Sequence, residues 1–223
     1  MKKYYKYIFP SILVLIIAIS CKKKDYLTDS GVHNPVTPLS NYDYLKQNSW
    51  KLFDTLLLIV DKFNLKEEVN EAKTFFAPTN YSINAFMTAR LNERLATSSS
   101  ATYPLDTLYK YITADSIRQY MFSDKITLND IGEDETKLFT SRGKVSHGVF
   151  KELQRANAYT QYTNNPTYLL YLVKVRGSLD VPGVTPPVGE EDIRVRCQTT
   201  GVQTSNGSTI LHVLNNQHQF IRF

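Results

Sequence analysis

The chain has 223 residues, of which 42% are hydrophobic and 21% charged. These shares are near the globular average and argue against a disordered chain and against a multi-span membrane protein. The formal charge of +5 falls to +2, with 23 basic and 21 acidic residues, once residues 1–20 are set aside. A nucleic-acid partner thereby loses most of its support.

Residues 1–20 have the pattern of an export signal. Lys2, Lys3 and Lys6 form a positive start, and residues 8–19 are apolar except for Pro10 and Ser11. The uninterrupted part, residues 12–19, is eight residues long, and crossing a bilayer takes about 20. The segment ends in Ala18-Ile19-Ser20-Cys21. This resembles a bacterial lipoprotein signal, in which Cys21 becomes the lipid anchor. Ala18 stands where leucine is most common. An ordinary secretory signal with a chance cysteine is the competing reading. A diacylglyceryl group, which the resemblance implies, would hold the membrane unaided, since each buried methylene contributes about 0.8 kcal/mol. Lys22, Lys23 and Lys24 would add attraction to anionic head groups.

Residues 21–40 are expected to be the lipidated cysteine and a tether. The stretch 25–40 contains Gly31, Pro35 and Pro38 and has no apolar periodicity. A folded domain is expected over residues 41–223. Phe53, Leu56, Leu57, Val60 and Phe63 have helical spacing within residues 50–63. Residues 74–77 form a short apolar run that suits a buried strand. Ile83, Phe86, Met87, Leu91 and Leu95 line one face of a helix over residues 81–95. Residues 96–102 are rich in Ser, Thr and Ala and suit a loop. Short helices are expected at 105–112 and 115–121.

The character then changes. Residues 125–149 hold short β-like runs broken by Gly132, Gly143 and Gly148, and residues 167–175 suit a strand. Residues 181–189, with three prolines and two glycines, suit a loop. Strands are expected at 193–197, 201–204 and 209–214, with Asn206-Gly207 as a tight hairpin turn. Helices in the N-terminal half, packed on short strands concentrated in the C-terminal half, define an α+β fold.

Two segments resemble the fasciclin domain. The first is TFFAPTN, where Thr74, Phe76, Ala77, Pro78, Thr79 and Asn80, followed by Ile83, fill the family's motif positions. The second runs from Asn206-Gly207 to His212, with two extra residues before the histidine and Asn215 in place of the usual Asp. Tyr120-Met121 occupies the place where members carry a Tyr-His pair. The resemblance covers roughly residues 41–223, with insertions near 96–104 and 178–192. It implies a fasciclin-like arrangement, a structural hydrogen bond from His212 and, with the signal, an outer-membrane lipoprotein of a Gram-negative cell envelope. For the first motif, a strand–turn–helix hinge competes with direct adhesive contact. Pro78 would end the strand, and Thr79 or Asn80 would cap the helix with a side-chain oxygen.

Enzyme motifs are missing: H-E-x-x-H, G-x-S-x-G, a glycine-rich phosphate loop and C-x-x-C are all absent. No catalysis, no cofactor and no metal are therefore expected. His147, His212 and His218 match no common metal spacing. Glu133-Asp134-Glu135 and Glu190-Glu191-Asp192 lack the alternation of a calcium loop. Cys197, on the apolar side of residues 193–197, suits a buried position; a reactive thiol or a pair with Cys21 are the other readings.

Tyrosine is abundant, with 15 residues. Tyr159, Tyr162, Tyr168 and Tyr171, among Asn157, Gln161, Asn164 and Asn165, make the candidate binding surface, because exposed tyrosines stack on sugars and anchor protein contacts. Half-buried strand-edge tyrosines are the plainer reading. The expected function is a lipid-anchored envelope module for adhesion or for contact with matrix protein or glycan. The alternatives are an accessory subunit of a glycan-uptake complex and a hydrolase with a scattered site.

Overall fold

The computed structural model describes residues 35–161, 165–181 and 183–221. The signal, Cys21 and the first part of the expected tether lie outside these residues. Among the described residues, no helix is long and apolar enough to cross a membrane.

Among the described residues, seven α-helices and seven strands follow in chain order. They begin with α1 (Asn41–Lys46), α2 (Asp54–Lys62), α3 (Lys66–Glu71), β1 (Thr74–Ala77) and α4 (Asn80–Leu95). Next come α5 (Leu105–Leu108), α6 (Asp115–Arg118), β2 (Met121–Phe122), β3 (Thr136–Thr140) and β4 (Ser146–Leu153). The last are α7 (Asn157–Thr160), β5 (Tyr168–Lys174), β6 (Ile193–Thr204) and β7 (Thr209–Leu214).

The strands make one sheet in the order β2-β1-β7-β6-β5-β4-β3. The pairing of β1 with β7 is parallel, and the others are antiparallel. The outer strands β2 and β3 approach each other. An antiparallel bridge joins Phe122 to Ser141, and the Arg142 N–H donates to the Met121 carbonyl at 2.8 Å. The sheet thus curls nearly into a barrel.

The expected α+β arrangement of fasciclin type is corrected here. The body is a mixed, nearly barrel-shaped sheet with short helices. The one strand from the N-terminal half, β1, lies inside the sheet between β2 and β7. Among the described residues only α4 is a long helix, at 16 residues, while β6 spans 12. Helical spacing over 115–121 is cut short, because Met121 and Phe122 leave α6 and pair with Phe75 and Thr74. Long-range pairing overrides local propensity there. Likewise, residues 193–197 and 201–204 form one continuous strand instead of two.

Both β1 and β7 are buried at every position, as strands covered on both faces must be. Their register puts Phe76 beside His212 on one face and Phe75 beside Leu211 on the other. On the first face the Phe76 ring stacks on His212 at 4.7 Å and meets Phe122 edge-on at 5.6 Å. His147 meets Phe122 at 6.0 Å.

Residues 35–40, assigned by composition to the tether, pair with β6. Val36 bridges Gln203 in parallel. The N–H of Gln203 donates to the Pro35 carbonyl, and that of Thr37 donates to the Gln203 carbonyl, both at 2.8 Å. The cause lies in β5, whose pairing with β6 covers only Ile193 to Arg196. Backbone groups further along β6 need another partner.

Candidate functional site

The first motif builds a junction between strand, turn and helix. Thr74 Oγ1 donates to the Asp124 carbonyl and accepts from the Ile126 N–H, each at 2.8 Å. Phe76, Ala77 and Ile83 are fully buried. Neither expected cap forms: the Thr79 hydroxyl makes no capping bond to α4 and instead donates to Asn216 Oδ1 at 3.0 Å. Asn80 is the first residue of α4, and its side chain turns toward the start of α2 and the turn before it. Its Oδ1 accepts from the Thr55 N–H at 2.9 Å, and its Nδ2 donates to the Lys51 carbonyl at 2.8 Å. Its own N–H donates to the Leu52 carbonyl at 2.7 Å.

The second motif is equally structural. Asn206 and Gly207 have φ of 54° and 85°, the left-handed values that this pair accepts at low cost. His212 is fully buried. Its Nδ1 accepts from the Gly201 N–H at 3.1 Å, so its Nε2 carries the proton and donates to the Ile126 carbonyl at 3.0 Å. Burial holds its pKa down at about 4.

The other titratable groups of chemical interest are also interior. Burial lowers His147 to about 4 and His218 to about 3. His218 Nε2 lies 2.9 Å from the Tyr120 hydroxyl, which accepts from the Ile221 N–H at 2.9 Å. Tyr120 thus meets a histidine from far along the chain. Cys197 is buried, and desolvation pushes its thiol well above the ordinary range. A thiol held protonated in this way is a poor nucleophile. No group of three or more His, Cys, Asp or Glu suited to a metal occurs among the described residues.

The tyrosine cluster is divided. Tyr162 lies outside the described residues. Tyr168 and Tyr171 are three apart in β5 and therefore point to opposite faces. The Tyr168 hydroxyl donates to Glu133 at 3.2 Å, and Lys151 sits over its ring at 4.9 Å. The Tyr171 hydroxyl donates to Glu152 at 2.6 Å. Burial, then Glu152, pushes its pKa up to about 12. Tyr159, on α7, is 37% exposed.

The acidic runs serve loop geometry. Arg155 pairs with Glu133 at 3.2 Å and with Asp134 at 2.7 Å. Asp192 accepts from the backbone N–H groups of Arg176 and Asp180, and Asp180 accepts from the Asp192 N–H. A groove of about 590 Å³ lies nearby, lined in part by Asp134, Phe150, Asp180 and Arg194. The Arg194 guanidinium lies over the Phe150 ring at 4.1 Å.

A surface that the sequence reading passed over lies at the first motif. Trp50 is 81% exposed and Tyr81 is 55% exposed. Both line a groove of about 260 Å³ with Lys51, Leu52, Asn80 and Asn84. The turn that carries Trp50 is tied down from two sides. Asn48 Oδ1 accepts from the Leu52 N–H at 3.3 Å, and Asn80 holds Lys51, Leu52 and Thr55 as described. A helical wheel could have flagged Tyr81. It sits two residues before buried Ile83, about 200° away around the helix.

Compared with models of protein families and with curated proteins, the chain matches none.

Proposed function

We propose that the protein is a lipid-anchored binding module of the cell envelope that contacts matrix protein or glycan without catalysis. The two motif segments support a relationship to the fasciclin family, and Cys21 in its small-residue context supports the anchor. The observation that carries the reading is a segregation of side chains. Three histidines and Cys197, the groups most suited to general-base or nucleophilic work, are held in the core. Both ring nitrogens of His212 are committed to backbone partners. Large aromatic rings, by contrast, stand in solvent at Trp50, Tyr81 and Tyr111. Exposed aromatic rings anchor protein and sugar contacts.

The experiment is an array of glycans and matrix proteins probed with the purified chain, run beside ester, peptide and glycoside substrates. Binding without turnover is expected. Turnover of any of these substrates would overturn the reading.

A further inference from the structure

We propose that the groove between Trp50 and Tyr81 is a subsite for one sugar ring of a neutral glycan. The inference rests on the binding-module reading and gives it a ligand class and an address.

Trp50 is the starting point. An indole left 81% exposed gives up the burial that a ring of that size would otherwise gain. The fold nevertheless holds its turn in place. Lys51 adopts φ of 52°, in the left-handed region that non-glycine residues seldom occupy. Asn48 Oδ1 accepts from the Leu52 N–H, and the Asn80 side chain bonds to Lys51 and Thr55. The exposed ring therefore sits on a braced segment, and a braced ring loses little freedom on binding.

The lining then selects among ligands. Two aromatic rings, Trp50 and Tyr81, flank one groove of about 260 Å³. The C–H face of a pyranose stacks on such rings, and its hydroxyls need donors and acceptors at the rim. Asn84, on the exposed side of α4, supplies an amide with both. The Asn80 amide is already engaged with Thr55 and Lys51 and serves as a brace. Among the described residues Lys51 is the one charged residue in the lining. A strongly anionic polymer is recognised by clusters of cations, and a cation by carboxylates; this lining has neither. Among the described residues no carboxylate lines the groove, so the pair needed for glycoside cleavage is missing from them. The site binds and does not cut.

The chain contains a single tryptophan, so indole emission reports this groove and nothing else. The full chain is titrated with maltohexaose, cellohexaose and chitohexaose, and with polygalacturonate as the anionic comparison, with excitation selective for tryptophan and with calorimetry in parallel. At least one sugar is expected to shift the emission to the blue and to saturate. Tyr81→Ala and Asn84→Ala are expected to weaken that sugar by tenfold or more with an unchanged melting temperature. Trp50→Ala, followed by calorimetry, is expected to abolish it, and Trp50→Phe to keep part of it. No emission change with any of the three sugars would overturn the proposal. Binding heat that survives Trp50→Ala would overturn the site and leave the binding-module reading standing. A preference for polygalacturonate, lost on adding salt, would overturn the neutral class.

Discussion

The backbone N–H of Gly201 donates to Nδ1 of His212 across 3.1 Å, from one strand to its neighbour. The bond exists because β6 bulges between Thr199 and Val202 in its pairing with β7. Gly201, at φ of 72°, lies in that bulge. A bulge turns backbone groups out of the ladder, and His212 receives the one set free. Its other nitrogen reaches Ile126, so one imidazole joins β6, β7 and the segment after β2. The ring can do this only while neutral, because a protonated Nδ1 would meet the Gly201 donor head-on.

Acid is therefore expected to destabilise the fold well above carboxylate pH. The folded-state values are about 4 for His147 and His212 and about 3 for His218, against about 6.5 unfolded. All are lowered, so the unfolded chain binds more protons between these limits. The stability is fully present above pH 6.5 and is lost as pH falls toward 4. At pH 5 the loss is on the order of 2 kcal/mol for a group such as His212. Glu68, held down by its hydrogen bond with Arg118, acts in a lower window, with its contribution lost below its unfolded value. Denaturant unfolding from pH 8 to pH 5 checks this. His212→Gln, whose amide has one donor and one acceptor group, is expected to flatten the slope. A pH-independent midpoint would show that the histidines are not buried neutral.

Phe76→Ala is expected to cost about 3–5 kcal/mol. The ring is fully buried and contacts both His212 and Phe122. Trp50→Ala is expected to change stability by less than about 0.5 kcal/mol. Urea unfolding of the two variants checks the contrast. Equal effects would mean that the strand at β1 is wrongly placed.

Asn80→Ala is expected to cost about 1–2 kcal/mol, because two side-chain hydrogen bonds are lost and the Thr55 N–H loses its acceptor. It should also free the Trp50 turn. The fluorescence anisotropy of the single tryptophan is expected to fall, and an unchanged anisotropy would show that Asn80 does not brace this turn.

Two truncations test the N-terminal pairing with β6. Removing residues 22–40 is expected to lower the melting temperature several degrees below that of a chain lacking only 22–34. The longer deletion takes away the bonds from Pro35, Thr37 and Leu39 to Gln203, Ser205 and Asn206. It also removes Ser40, whose hydroxyl accepts from the Asp43 N–H at the start of α1. Equal melting temperatures would show that this pairing adds nothing.

The anchor has its own test. Cys21→Ser is expected to leave the precursor unprocessed or to release a soluble form. A variant that stays with membranes at the same mature mass would refute lipidation.

Local chemistry was legible in the sequence. The helix at Asn80–Leu95 follows from a 3.6-residue period, the turn at Asn206-Gly207 from tolerance of positive φ, and β1 from a short apolar run before Pro78. Each depends on residues close together along the chain. Sheet order does not. The parallel pairing of β1 with β7 joins residues more than 130 positions apart, and it decides that Phe76 meets His212. Helical spacing around Ile117 was real, but β2 was claimed by its partner β1. The tyrosine cluster looked unified because its members are near in sequence. In a strand an odd spacing separates them, so Tyr168 and Tyr171 went to different carboxylates on different faces. Trp50 lay at the start of an expected helix, yet α2 begins only at Asp54. The turn before that helix is held by Asn80, 30 residues after Trp50, through Lys51 and Thr55. Periodicity shows which residues share a face of one element. Which face meets solvent is set by the elements packed against it, and those contacts arise only in the folded chain.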